Sequence, residues 1–310
     1  MTKLISIIVP VYNEEKLINS TISRLQSEVK DWSYNHEVIY VNDGSNDSTL
    51  PILKKAAEKD AKIKIINFSK NYGHQMAFTA GLDYAIGDAV IVIDGDLQDP
   101  PHVMNQFIDK WEEGYDIVYG KRLKRKGESF FKLITAKIFY KVIDFLSDTK
   151  IPQDVGDFRL MDRKVVDEFK LMRERHRFIR GMVSWMGFKQ CAVNYDRDKR
   201  MAGETKYPIN KMIKFAMDGI LSFSIVPIKA SMWLGIFTMI LSFIGIIYSL
   251  ISRIFTDNWV TGWTAIIISI LFIGGIQLFS IGILGNYVGR TFEEIKGRPL
   301  YIVDELTNFE

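Results

Sequence analysis

The N-terminal part of the chain alternates short apolar runs with longer amphipathic ones. LISIIVP is followed by EEKLINSTISRLQSEV, EVIYVN by a helical stretch through LPILKKAAEK, IKIINF by HQMAFTAGLDYAI, and DAVIVID closes the series. Compact β-branched runs read as buried strands, and the segments of helical periodicity as amphipathic helices. Strands alternating with helices predict right-handed βαβ units and a mainly parallel sheet, an α/β fold. In such a sheet ligands bind beyond the carboxyl ends of the strands. The segments that follow the four strands are PVYNEE, NDGSNDST, SKNYGHQ and DGDLQDP, so one sheet edge must collect all of them.

Farther along, the pattern loses its polar half. No charged residue occurs from Ala230 to Ser252, nor from Asn258 to Gly289. Both stretches exceed the roughly 20 apolar residues needed to cross a bilayer, so two transmembrane helices are expected. Only Arg253 and Asp257 lie between them, whereas Lys206, Lys211, Lys214 and Lys229 precede the pair and Arg290, Lys296 and Arg298 follow it. The positive-inside rule then places both chain ends in the cytoplasm and makes this a two-span protein of the cell membrane. Trp233, Trp259 and Trp263 fall near the span ends, where indoles favour the interface. The start, MTKLISIIVPVYNEE, lacks a small-residue cleavage site and enters an acidic segment, which argues for a strand and against a signal peptide.

Average composition, with 47% hydrophobic residues and a net charge of +3, conceals this split. The lone Cys191 excludes an intramolecular disulfide and a cysteine metal cluster. From Lys121 to Lys141 eight basic residues face one acid, Glu128. Nucleic acid is the generic partner of such a run. Here, however, it leads into FFKLITAKIFYKVIDFL, whose Lys137, Lys141 and Asp144 share one helical face, the pattern of an interfacial membrane helix at about 130–147. No nucleic-acid partner is therefore expected. INKMIKFAMDGILSF groups Lys211, Lys214 and Asp218 in the same way, giving a juxtamembrane amphipathic helix within 206–229. Packing against the domain core is the alternative for both.

The apolar run VIVID ends in Asp94, Asp96 and Asp99. An Asp-Gly-Asp turn is the plainer reading, yet carboxylates crowded at a strand end repel one another unless something positive sits between them. In an extended chain Asp94 and Asp96 project to one side, with Gln98 following. Hard cations such as Mg²⁺ or Mn²⁺ take few protein oxygens and complete their shells with phosphate and water. Gly95 either lets a ligand approach the backbone or simply forms the turn.

Together, PVYNEE, NDGSNDST and DGDLQDPP resemble, in order and spacing, the nucleotide-sugar site of inverting family 2 glycosyltransferases of the GT-A fold, a Rossmann-like mainly parallel sheet. With VGDFRL, RMAGETKYP and the two following spans, nearly the whole chain is similar to the polyisoprenyl-phosphate branch, which includes bactoprenol glucosyltransferases and dolichol-phosphate mannose synthases. The resemblance implies that Pro10, Tyr12 and Glu14 line the nucleoside pocket and that Asp43 bonds the base. It implies that Asp94, Asp96 and Gln98 hold Mg²⁺ or Mn²⁺ beside the diphosphate, with Gly95 between them, and that Arg200 meets the donor diphosphate. Arg122 and Arg125 become ligands for the acceptor phosphate, anionic headgroups being the alternative, and Asp157 falls on an acceptor-side carboxylate. Whether Asp157 abstracts a proton or only orients groups stays open.

The organisation implied is a cytoplasmic catalytic domain over 1–205, a juxtamembrane helix over 206–229, two spans over 230–289 and a cytoplasmic tail over 290–310. Its partners are the membrane, a polyisoprenyl phosphate such as undecaprenyl phosphate, and a nucleotide sugar. UDP-glucose comes first among donors, ahead of UDP-N-acetylglucosamine and GDP-mannose; homo-oligomerisation is left open. A polysaccharide-extending transferase would be expected to carry more spans and a Gln-x-x-Arg-Trp motif, which the sequence lacks. A non-catalytic membrane scaffold sensing nucleotide sugars is disfavoured by the intact Asp94, Asp96 and Arg200.

Overall fold

The computed structural model describes residues 2–96, 98–122, 155–196, 226–255 and 262–309. Arg125, Arg200, the expected interfacial helix at 130–147 and the juxtamembrane segment as far as Ile225 lie outside the described residues.

Strands β1 (Leu4–Val11), β2 (Asn35–Asn42), β3 (Ile63–Phe68) and β4 (Ala89–Val92) alternate with helices α1 (Ile18–Val29), α2 (Thr49–Ala57) and α3 (His74–Tyr84). After them come α4 (Val103–Glu112), β5 (Ile117–Arg122), β6 (Val155–Asp162), α5 (Arg163–Leu171), α6 (Ile179–Trp185) and β7 (Gln190–Tyr195). Two long helices follow, α7 (Val226–Phe255) and α8 (Trp263–Ile295), then β8 (Val303–Thr307). The eight strands form one sheet in the order β7-β5-β6-β4-β1-β2-β3-β8. β1 to β4 are mutually parallel where they pair, β5 and β7 pair in parallel, and β6 and β8 run against their neighbours. The GT-A-like, mainly parallel sheet expected from the sequence is thus present.

Both faces of the sheet are covered, which is why its strands read as nearly continuous apolar runs. Along β1, Ile5, Ile7, Val9 and Val11 pack with α1, α2 and α4, whereas Ile8 packs among residues of α3, α5 and α6. Full burial of each such side chain is worth about 1.5–3 kcal/mol, enough to fix register, since a one-residue slip would exchange the two faces.

The long helices expose their apolar side chains, and each contains a window long and apolar enough to cross a bilayer, Val226–Gly245 and Phe272–Ile295. α7 continues to Phe255, so Arg253 belongs to the helix and not to the connection. Part of the segment read as a tail over 290–310 joins the sheet. Val303–Thr307 adds antiparallel to the edge of β3, Tyr301 stacks on Phe68 with ring centroids 5.0 Å apart, and Asn308 Nδ2 donates to the carbonyls of Ala57 and Ile63. The end of α8 is gripped as well: Glu294 Oε1 accepts from the Arg175 amide at 2.7 Å, and Glu293 lies 2.7 Å from His176 Nε2.

Candidate active site

The segments after β1 and β2 are stitched into one wall. The amides of Asn13, Glu14 and Glu15 donate to Ser45 Oγ, Thr49 Oγ1 and Asp47 Oδ2 at 2.9, 2.9 and 3.1 Å. In return Asn13 Oδ1 and Glu15 Oε2 accept from the amides of Asn46 and Ser48. Asn13 adopts φ 53°, a left-handed conformation that asparagine tolerates. Pro10 is buried at the end of β1, with Tyr12 and Glu14 half-buried beside it.

Asp43, only 3% exposed, anchors the approach to α3: its carboxylate accepts the amides of Tyr72 at 2.7 Å and Gly73 at 2.9 Å. Burial pushes its carboxyl up, and these two donors pull it part of the way back. Gly44 beside it has φ +64°, and a Cβ there would sit 2.3 Å from the backbone of Lys70. Much of the capacity that the resemblance gives to base recognition is therefore already used to hold the loop that delivers His74.

The acidic turn after β4 resolves into two functions. Asp94 and Asp96, both half-buried, stand at the sheet edge, and Gln98 donates its amide to Asp96 Oδ1 at 3.2 Å. Asp99 is fully buried and committed elsewhere, accepting from Tyr195 Oη at 2.5 Å with Arg122 Nη2 3.6 Å away. Arg122 Nε also donates to Tyr195 Oη at 3.2 Å. A Cβ on Gly95 would meet Val11 Cγ1 at 2.9 Å and the Pro10 carbonyl at 3.2 Å. Its smallness serves close packing of the turn on β1, and the Thr21 hydroxyl fixes its carbonyl at 3.0 Å.

β6 runs against β4, so its first residues, not its last, reach this edge and bring Asp157 to it. Asp157 is 7% exposed. Arg180 Nε donates to it at 3.1 Å, His74 Nε2 lies 3.2 Å away, and Arg159 Nη2 is at 3.8 Å. Burial would raise its carboxyl, but the charge of Arg180, the hydrogen bond with His74 and the charge of Arg159 hold it well below the usual carboxylate range. His74 also faces Asp94 Oδ1 at 3.6 Å, bridging the acidic turn and β6. Burial alone would lower His74, yet the Asp157 hydrogen bond and the two carboxylate charges raise it to about 9. Asp94 is raised to about 6 by burial and by the charges of Asp99, Asp157 and Asp96, against the opposing pull of His74. Among the described residues no three His, Cys, Asp or Glu form a ready ligand group. The two carboxylates fit a cation completed by phosphate and water, and the repulsion recorded at Asp94 is what such a cation would relieve.

His74, Arg180 and Tyr195 were not singled out by the sequence. His74 had an available signal, being the sole histidine in the four edge segments. Arg180 and Tyr195 had none, since their roles depend on tertiary packing.

Residues 6–169 match the family described as Glycosyl transferase family 2. The chain is 50% identical over 305 residues to the uncharacterized glycosyltransferase YkcC of Bacillus subtilis (strain 168), covering 98% of this chain and 94% of that protein. It is 42% identical over 302 residues to the bactoprenol glucosyl transferase of Shigella phage SfII, covering 96% and 97% of the two chains. Among solved structures it is distantly similar to glucosyl-3-phosphoglycerate synthase from Mycobacterium tuberculosis, with 18% identity, a TM-score of 0.48, and coverage of 71% of this chain and 78% of that one. With the acidic turn, the paired loops and this extent of sequence identity in hand, the chain belongs to glycosyl transferase family 2.

Proposed function

We propose that this glycosyltransferase moves a sugar, glucose from UDP-glucose in the first instance, onto a polyisoprenyl phosphate at the cytoplasmic face of the membrane, with inversion. The observation that carries the reading is the convergence of Asp94, Asp96 and Asp157 at one sheet edge, beside the stitched loops that hold Tyr12, Glu14 and Asp43. The full-length similarity to bactoprenol glucosyl transferases supports a lipid phosphate as acceptor.

The chemistry follows from the charges. An acceptor phosphate oxygen attacks the anomeric carbon, and the nucleoside diphosphate departs from the opposite face. A phosphate monoester, with its second pKa near ~6, is mostly dianionic at neutral pH. It needs no base, and Asp157, surrounded by Arg180, His74 and Arg159, is a poor one. Asp157 instead orients those cations toward the acceptor. Asp94, Asp96 and Gln98 are the residues that would hold Mg²⁺ or Mn²⁺, which when bound supplies positive charge for the leaving diphosphate. Arg200 is assigned to the same diphosphate, and Arg122 with Arg125 to the acceptor phosphate.

Topology fits this reading. β8 follows α8 and joins the same sheet as β1 to β7, which supports an even number of crossings, two if α7 and α8 each span the bilayer. The lysine and arginine distribution puts the sheet in the cytoplasm.

The test incubates the purified full-length protein with labelled UDP-glucose, UDP-N-acetylglucosamine or GDP-mannose, Mg²⁺ and undecaprenyl phosphate. Label from one donor in the lipid extract, with inverted anomeric configuration, is expected. Label in a polymer would favour chain extension, and binding without turnover would favour a sensing scaffold.

A further inference from the structure

A line of polar side chains, buried at Asn42 and Asn67, half-buried at Ser45 and exposed at Asp304, runs from the C-terminal strand to the donor loops. Asn42 and Asn67, 1% and 7% exposed, stand side by side at the ends of β2 and β3. Asn67 Nδ2 donates to Asp304 Oδ2 on β8 at 3.3 Å, and Asn42 Nδ2 donates to Asn67 Oδ1 at 2.7 Å. Ser45 Oγ then donates to Asn42 Oδ1 at 2.5 Å and accepts from the Asn13 amide at 2.9 Å.

The direction of every bond is dictated from one end. An ionised carboxylate only accepts, so Asn67 must turn its amino group toward Asp304. Its carbonyl is left for Asn42, whose own carbonyl then takes the Ser45 hydroxyl proton and leaves the Ser45 lone pairs for Asn13. Buried polar groups without partners are costly, and a chain of this kind has one fully satisfied arrangement. It ends on the residue with left-handed backbone that joins the β1 and β2 loops.

We infer that Asn42 and Asn67 are positioning residues through which β8, the strand that follows the membrane helices, sets the geometry of the nucleotide loop. The inference rests on the donor-site reading of Tyr12, Glu14 and Asp43, and it assigns to the C-terminal segment a role in donor affinity.

The experiment titrates UDP and GDP with Mg²⁺ into the detergent-solubilised full-length protein by calorimetry, alongside steady-state kinetics. Asp304→Ala should weaken nucleotide binding and raise the donor KM roughly five- to tenfold, the loss of about one hydrogen bond's free energy, with kcat unchanged. Glu305→Ala, the next residue on β8, breaks a 2.6 Å contact with Lys54 of α2, which lies outside the relay, and should leave both constants alone. Asn67→Asp sets two carboxylates together and should bind poorly, whereas the exchange Asn67→Asp with Asp304→Asn lets residue 67 accept from both sides and should restore affinity. Wild-type affinity in Asp304→Ala, equal loss in Glu305→Ala, or no rescue by the exchange would overturn the relay. If the wild-type protein binds neither nucleotide, the donor-site reading itself falls and the inference with it.

Discussion

Asp157→Asn removes a charge from the cluster it forms with His74, Arg159 and Arg180 while conserving shape. Asp157 is 7% exposed and Arg159 3% exposed, so the cations left behind cannot all turn to water. Breaking a buried ion pair by removing one partner costs about 3–5 kcal/mol. Arg180 is 23% exposed on its side chain, which places the expected loss near the lower end, about 3 kcal/mol. At ~2–4 °C per kcal/mol for a domain of this size, the thermal midpoint should fall by about 6–12 °C. Near-ultraviolet circular dichroism of the detergent-solubilised protein would follow it.

The pH dependence has a definite sign. Because the folded pKa of Asp157 is depressed, its contribution is complete above the unfolded value of about 3.9 and lost only as pH falls below it. His74 works in the other direction: raised to about 9, its share is complete below about 6.5 and fades as pH rises through 9. The gap between wild type and variant should hold steady from about pH 5 to 6.5 and then narrow toward alkaline pH. His74 is 35% exposed, so solvent screens part of that narrowing. Adding Arg180→Gln removes a stranded cation and should return at least about 1 kcal/mol. A midpoint for Asp157→Asn equal to or above wild type would refute the account.

Three further outcomes are expected. EDTA should abolish turnover and Mg²⁺ or Mn²⁺ restore it, since a diphosphate would add its negative charge to that of Asp94 and Asp96; full activity in metal-free buffer would remove that claim. Tyr195→Phe takes the hydroxyl from fully buried Asp99 and should cost about 1–3 kcal/mol in thermal unfolding, whereas an unchanged midpoint would mean that Asp99 is held by other groups. Gly262→Cys, at the start of α8 in a Cys191→Ser background, should react with an impermeant maleimide in intact cells, and reaction only after permeabilisation would reverse the orientation.

The four-strand frame was legible because each strand is buried on two faces and keeps its apolar residues together, as IKIINF does over Ile63–Phe68. Asp94 and Asp96 were legible because a strand end followed by acids is a local pattern. Direction is not local. Nothing in VGDFRL says that β6 runs backwards, and only that reversal brings Asp157 to His74. Asp99 looked equivalent to its neighbours in sequence, yet tertiary contacts with Tyr195 and Arg122 give it a separate structural task. β8 escaped notice because it is five residues long with Leu306 exposed, so it carries little signal of burial.

The position of β8 in the chain sets an order of assembly. β3 ends at Phe68 and its partner starts at Val303, beyond both apolar helices. At a synthesis rate of about 5–20 residues per second, the β3 edge waits on the order of tens of seconds for its closing strand. Throughout that interval its amides and carbonyls form an open template for stray strands, and Asn67 has no Asp304 to orient it. α7 and α8 emerge from the ribosome before the sheet can close, so if they enter a bilayer they do so before Asp304 reaches Asn67, and until β8 docks the chain keeps an adhesive edge for chaperones and proteases to recognise.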